Sequence, residues 1–233
     1  MIRGPGPAME LQALDPAAYL VGDDVIDVDH PAVRALAAEH RAAWPDDVAF
    51  ARSVFEYVRD EIRHSYDAQD PRVSLTASET LQQGVGLCYA KSHLLTALLR
   101  AEGVPAGLCY QVLTDDGESF DLHGLVAVHL RGGWHRQDPR GNKPGVDAQP
   151  GVDAQPGVDA QPGVDAQPGV AKQPGVDAQF RLDAEQLAWP VRVELGERDL
   201  PQLHVHPSAN VVTALRGTTD ILTLAGGGLP SEP

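Results

Sequence analysis

Between Pro144 and Gln179 the chain repeats one hexapeptide, PGVDAQ, six times in tandem, with the fifth copy altered to PGVAKQ. The array interrupts whatever fold the flanks build. Its glycines recur every six residues rather than every three, which excludes a collagen helix. A parallel β-helix needs a strong apolar position at each turn. Each copy offers only one Val, beside a Pro that removes a ladder donor. That is too little apolar surface to offset the roughly 1–2 kcal/mol per residue needed to fix a backbone. The sequence therefore predicts a flexible insertion loop of Pro-Gly turns over 144–179. Closing a loop costs only about 0.6 kcal/mol per doubling of its length, so a solvent-facing insertion of this size is tolerable.

The fold then belongs to the flanks, read as a single domain over 1–233 with core motifs at 45–143, a C-terminal part at 180–225 and a loose tail at 226–233. The 33 acidic and 18 basic residues give a formal charge of -15. Such a field repels phosphate backbones, and the Lys and Arg form no basic stripe, so nucleic acid and anionic membranes are not expected partners. Two Cys make no disulfide scaffold, and no apolar run is long enough to span a bilayer. The opening MIRGPGPAMELQALDP lacks the apolar core of a signal peptide, and the expected location is cytoplasmic.

Helical spacing comes first. YLVG and DVIDV read as early strand segments. A helix then starts at Pro31, and a second opens at Pro45-Asp46-Asp47 with a stripe of Phe50, Val54, Phe55, Val58 and Ile62. Thr76 or Ser78 with Glu79 predicts a capped helix ending at Gly84. Another runs from Cys88 to Ala101, stopped by Gly103 and Pro105. The period then changes to two, giving strands at Ala106 to Leu113, Gly124 to Leu130 and Trp134 to Asp138. Beyond the array come a helical turn at Leu182 to Ala188, strands near Val191 to Leu195 and Leu203 to Val205, and a helix from Pro207 to Arg216. Helices followed by a mostly antiparallel sheet read as α+β.

Cys88 stands at the first turn of a Leu-rich helix, where unpaired backbone donors and the positive dipole end favour a thiolate. A nucleophile there needs a base, and the base an orienting acid. His123 heads one strand and Asp138 ends the next. A two-residue turn at Arg131-Gly132 pairs Leu130 with Gly133 and makes Asp138 the diagonal neighbour of His123 on one face, with β-carbons up to ~8 Å apart; a turn at Gly132-Gly133 would separate the pair by another two residues on the same face. The plainer reading of an isolated helix Cys is a small buried hydrophobe. Cys109 reads as core, His129 and His135 as strand-face residues. His204 and His206 share a face without a nearby third ligand, so no metal or cofactor is expected.

The stretches GVGLCYAKSHLLTALLRAEGVPAGLCYQV, HGLVAVHL and GWHRQDPRGNK resemble the transglutaminase-like superfamily, with its papain-like core, over about residues 45–145. That resemblance implies Cys88 as nucleophile, His123 as base, Asp138 as orienting acid and Trp134 as the tryptophan of the last motif. The Cys-to-His and His-to-Asp separations, 35 and 15 residues, are shorter than in the large animal enzymes. No side chain matches the family's oxyanion stabiliser, although Gln111 is a possible amide donor and Tyr89 adjoins the nucleophile. The implied chemistry is acyl transfer or hydrolysis of an amide in a peptide, protein or small amide substrate, with hydrolysis preferred. The rival classes are a non-catalytic peptide-binding module with a vestigial triad, and an interaction protein tethered by the array.

Overall fold

The computed structural model describes residues 9–141, 178–225 and 228–233. The predicted loop at 144–179 therefore lies outside the described residues, apart from Ala178 and Gln179. Side chains open the first helices. His30 accepts the Ala32 N–H at the start of α1 (Pro31–Ala43), and the Asp46 carboxylate accepts those of Val48 and Ala49 at the start of α2 (Asp47–Glu61). Each such cap contributes about 1 kcal/mol. A short strand β1 (Arg63–His64) and a single turn α3 (Ser65–Ala68) follow, neither signalled by periodicity. Thr76 and Glu79 form the expected capping box of α4 (Ala77–Gln83), which ends at Gly84. Then β2 (Val85–Gly86) pairs in parallel with β1 and delivers the chain to α5 (Cys88–Ala101).

Helix α5 is the axis of the molecule, buried from Cys88 through Arg100. Lys91 in its first turns is fully enclosed, and its ammonium donates to the carbonyls of Arg59 and Ile62 at the end of α2. Burial and the charge of Arg140 lower its pKa to about 7, against the pull of Asp138 and other carboxylates.

The sheet is antiparallel in the order β5-β4-β3-β6, from β3 (Ala106–Leu113), β4 (Asp121–Leu130), β5 (Gly133–Gln137) and β6 (Arg198–Asp199). Its inner face, including Leu108, Tyr110, Val112, Leu122, Val126 and Val128, packs into the main core with α5. Cys109, Leu125 and Ala127 point outward against Tyr19 and Leu203. The segment that follows the array covers this outer face. Arg136 holds it there by pairing with Glu185 and Asp199, each at 2.5 Å. Helix α6 (Ala209–Arg216), capped by Ser208, closes the fold. No helix among the described residues is long and apolar enough to cross a membrane.

Several segments differ from expectation, each for a local reason. YLVG is not a strand, because Asp15 caps the Ala17 N–H and Pro16 starts a short 3-10 turn at Pro16–Leu20. The Tyr19 hydroxyl then bonds to Leu14 and Leu203. DVIDV is also irregular, since the Asp23 carboxylate takes the N–H groups of Val25 and Ile26 that a ladder would use. Val193–Leu195 is a 3-10 turn, in a loop where Arg192 is bonded to Glu197. No helical turn forms at Leu182 to Ala188, where Glu185 is committed to Arg136. Leu203 to Val205 contributes one bridge, His204 to Leu108. The final residues, expected as a loose tail, are held at 228–233: Pro230 accepts the Leu122 N–H at 2.7 Å, and Asn210 donates to the Glu232 carbonyl at 3.2 Å.

The flanks of the array meet at one residue. Gly141 has φ 91°, and a β-carbon there would lie 2.8 Å from the Arg59 carbonyl. On the other flank, Ala178 accepts a hydrogen bond from the Arg59 guanidinium at 3.0 Å.

Candidate active site

Register places the site. Arg131 and Gly132, both at positive φ, make the two-residue turn, and Leu130 pairs with Gly133, the first of the two registers the spacing allowed. The ladder between β4 and β5 stops at Val126–Gln137, two residues before Pro139. Strand β4 therefore runs on past its partner, leaving an edge from Asp121 to Leu125. The first turn of α5 covers that edge at Gly124. The Gly124 N–H donates to the Cys88 sulfur at 3.5 Å, and the Tyr89 hydroxyl donates to the Leu122 carbonyl. Gly124 permits this approach: a β-carbon there would lie 2.9 Å from the Tyr89 ring.

His123 projects between Cys88 and Asp138. Its Nε2 lies 2.9 Å from Asp138 Oδ2, leaving Nδ1 for the thiol. Burial alone would push the imidazole pKa down. The carboxylate of Asp138 and the sulfur of Cys88 outweigh that and raise it to about 10. Asp138 is also enclosed, which favours its neutral form. His123 and two backbone donors overcome this and hold the carboxyl below its ordinary range. Those donors are Ala188 N–H on Oδ2 at 2.9 Å and Arg140 N–H on Oδ1 at 3.0 Å.

Cys88, His123 and Asp138 are thus brought together. Trp134 is not among them: it packs at the far end of the outer face, 4.9 Å from the Tyr19 ring and 5.1 Å from that of His129. The tryptophan at the site is Trp189, whose ring meets the His123 imidazole edge-on at 4.9 Å and lies under the Arg140 guanidinium at 5.1 Å. Sequence spacing had no means of finding Trp189 or the Ala188 N–H, because both arrive from beyond the array. The one available signal was a large aromatic in LAWP, in a chain only 5% aromatic. Gln111 does share a strand face with His123, but its amide donates to Asp199 at 2.9 Å and is committed there. Tyr89 points inward. His135 bonds to the Leu130 carbonyl, His204 meets the Tyr110 ring edge-on, and His206 pairs with Asp23.

A cleft of about 700 Å³ opens over Cys88 and His123. Its walls include Tyr66, Asp121, Arg140, Trp189 and Leu229. Arg140 grips Asp67 of α3 through both guanidinium ends, pinning that wall. The Tyr66 hydroxyl is buried with no hydrogen-bond partner among the described residues. Burial, Cys88 and Asp121 all raise its pKa, so it remains an O–H donor.

The two cysteines should separate cleanly in their chemistry. Cys109 has no solvent exposure, and burial pushes its thiol up to about 12. Iodoacetamide at neutral pH is expected to label Cys88 and spare Cys109, as read by peptide mass mapping. Equal, slow labelling of both would contradict the assignment.

Residues 34–139 match the family model described as the transglutaminase-like superfamily, and residues 140–176 match one described as a Pericardin like repeat. No curated protein matches the chain. Among solved structures it is similar to a candidate cysteine protease from Cytophaga hutchinsonii, at 18% identity and TM-score 0.46, over 55% of this chain and 43% of that one. It is also similar to the periplasmic domain of TgpA from Pseudomonas aeruginosa, at 21% identity and TM-score 0.42, over 55% of this chain and 48% of that one. The chain thus spans less than half the length of either. The matched segment carries the helix with Cys88, the strand with His123 and the hairpin leading to Asp138, and it is this segment of the chain that is of the transglutaminase-like superfamily.

Proposed function

We propose that the protein is a cysteine-dependent enzyme that cleaves amide or peptide bonds through a thioester on Cys88, with water as the acyl acceptor. The observation that carries this reading is the His123 imidazole, set between the cleft-lining Cys88 and a buried carboxylate that is itself held by two backbone donors. A base oriented in this way fits a nucleophile and wastes few rotamers. His123 takes the proton of the Cys88 thiol. The sulfur attacks the carbonyl carbon, and the C=O electrons move onto oxygen. As the tetrahedral adduct collapses, the C–N bond breaks and His123 gives its proton to the departing amine. Water then loses a proton to the same imidazole and attacks the thioester; the C–S bond breaks, the acid is released and the imidazole returns its proton to the sulfur. Asp138 keeps the imidazole in place and holds no proton itself.

The tetrahedral oxygen needs donors. The Cys88 N–H at the start of α5 supplies one, and we assign the Tyr66 hydroxyl as the second, on its unpaired O–H in the same cleft. Tyr66→Phe is expected to lower kcat about a hundredfold, the scale for one oxyanion donor, with little change in the alkylation rate of Cys88. Screening the intact chain against peptide amides tests the reading as a whole. A mass adduct on Cys88, with release of amine and free acid, is expected, and both should vanish in Cys88→Ala. Saturable peptide binding without any adduct would make the protein a binding module. Isopeptide-linked products would make it a cross-linker.

A further inference from the structure

We infer that the open edge of β4 beside Cys88 is a binding track for an extended polypeptide, and that the chain's own C-terminal segment occupies this track in cis. The inference rests on the proposed function and specifies its substrate class. An unpaired strand edge is a ready template for another extended chain. Here the edge begins where the ladder to β5 ends, at Val126. Gly124 and Leu122 lie two residues apart on one strand, so their N–H groups project the same way about 6.8 Å apart. The first donates to the Cys88 sulfur; the second donates to the Pro230 carbonyl at 2.7 Å. One step along the edge from the nucleophile there is thus a main-chain donor, and a polypeptide carbonyl is already on it.

The neighbouring contacts fit a peptide with an apolar side chain. Leu229, next to Pro230, lines the cleft that contains Cys88 and packs against the main core. A hydrogen-bonded pair in an antiparallel ladder exchanges two bonds through the same two residues. Pro230 has no N–H to return, and the Leu122 carbonyl instead receives the Tyr89 hydroxyl. The occupant in cis is held by half of a pair. A substrate with an ordinary residue at that place can make both bonds and displace it. The track therefore selects polypeptides over small amides, and the C-terminal segment is a weak, replaceable competitor.

Three proteins test this: the intact chain, a chain ending at Ala225, and full-length Pro230→Ala. The probe peptide is GGLPSEP. Hydrogen exchange at the Leu122 amide reads the track, and alkylation of Cys88 reads the function. Truncation is expected to speed exchange at Leu122 about tenfold, the loss of roughly one net hydrogen bond. Added GGLPSEP should restore protection saturably in the truncated chain and have no effect on the intact one. Pro230→Ala, which supplies the missing N–H, should slow exchange at Leu122 below that of the intact chain. Unchanged exchange in a truncated chain that still melts cooperatively would overturn the inference. Should the truncated chain fail to fold, unchanged or faster exchange in Pro230→Ala would overturn it. The expected exchange pattern together with an inert Cys88 would leave the track standing and remove the enzymatic reading, while the reverse result would remove only the track.

Discussion

Asp138→Asn lowers turnover about ten-thousandfold, the scale found when an orienting carboxylate becomes an amide, while Cys88 remains in place. The reason lies in which groups face the carboxylate. Oδ2 receives His123 Nε2 and the Ala188 N–H, and Oδ1 receives the Arg140 N–H. An asparagine has one oxygen and one NH2 to meet three donors. With its oxygen toward Ala188 and His123, its NH2 opposes the Arg140 N–H. With the amide turned over, His123 is forced to accept at Nε2 and carries its proton at Nδ1, toward the sulfur, where a base should be empty. Either way one buried donor is unsatisfied, at a cost of about 1–3 kcal/mol. For a domain of this size the melting temperature should fall by roughly 2–4 °C per kcal/mol. Thermal melts and kcat on one confirmed substrate check both parts. Full turnover in Asp138→Asn would reduce Asp138 to a residue that shapes the turn after β5.

The folded state should also lose a few kcal/mol between pH 6.5 and about 10, the interval between the ordinary and the raised pKa of His123. Below 6.5 the imidazole is protonated in both folded and unfolded chains, and its pairing with Asp138 and Cys88 contributes in full. Above that value the unfolded chain releases the proton first. The advantage shrinks with each pH unit, by at most about 1.4 kcal/mol, until the folded imidazole also deprotonates. Asp138 acts in the opposite direction, because its lowered pKa gives stability that is present above about 3.8 and lost as acid protonates it. Urea midpoints followed against pH should therefore be highest between roughly 4 and 6.5. The alkaline decline should be shallower in Cys88→Ser, which removes the sulfur that helps raise the imidazole. A profile equally steep in wild type and His123→Ala would show that other groups control the alkaline limb.

The sequence was most readable where local chemistry and tertiary packing agreed. Thr76 with Glu79, Asp46 before Val48, and the Leu-rich run after Cys88 fixed three helices, because caps and apolar stripes act within a few residues. The shared face of His123 and Asp138 was legible under either hairpin turn, and the structure takes the Arg131-Gly132 one, which puts Asp138 within reach of His123. Legibility failed where side chains competed with the ladder. Asp15 and Asp23 capture backbone N–H groups and turn apparent strands into tight bends. It failed again for contacts made across long separations. The Ala188 N–H lies 50 residues from the Asp138 carboxylate it donates to, and Trp189 replaces Trp134 as the aromatic against the imidazole. Trp134 has the right spacing but sits at the other end of the strand face, beside Tyr19.

The Arg59 backbone carbonyl packs against the chain at Gly141 and its guanidinium donates to the Ala178 carbonyl, so departure and return pass one residue near the end of α2. Copy number is thereby separated from architecture. Gain or loss of whole hexads in frame is expected to leave both flanks against the same residue, with Asp138 on one side and Ala188 on the other. Doubling the array would add only about 0.6 kcal/mol of closure entropy. Natural variants of this chain that differ by whole hexads are accordingly expected to share one melting temperature and one rate of Cys88 alkylation, making array length a trait free to drift without reaching the thiol.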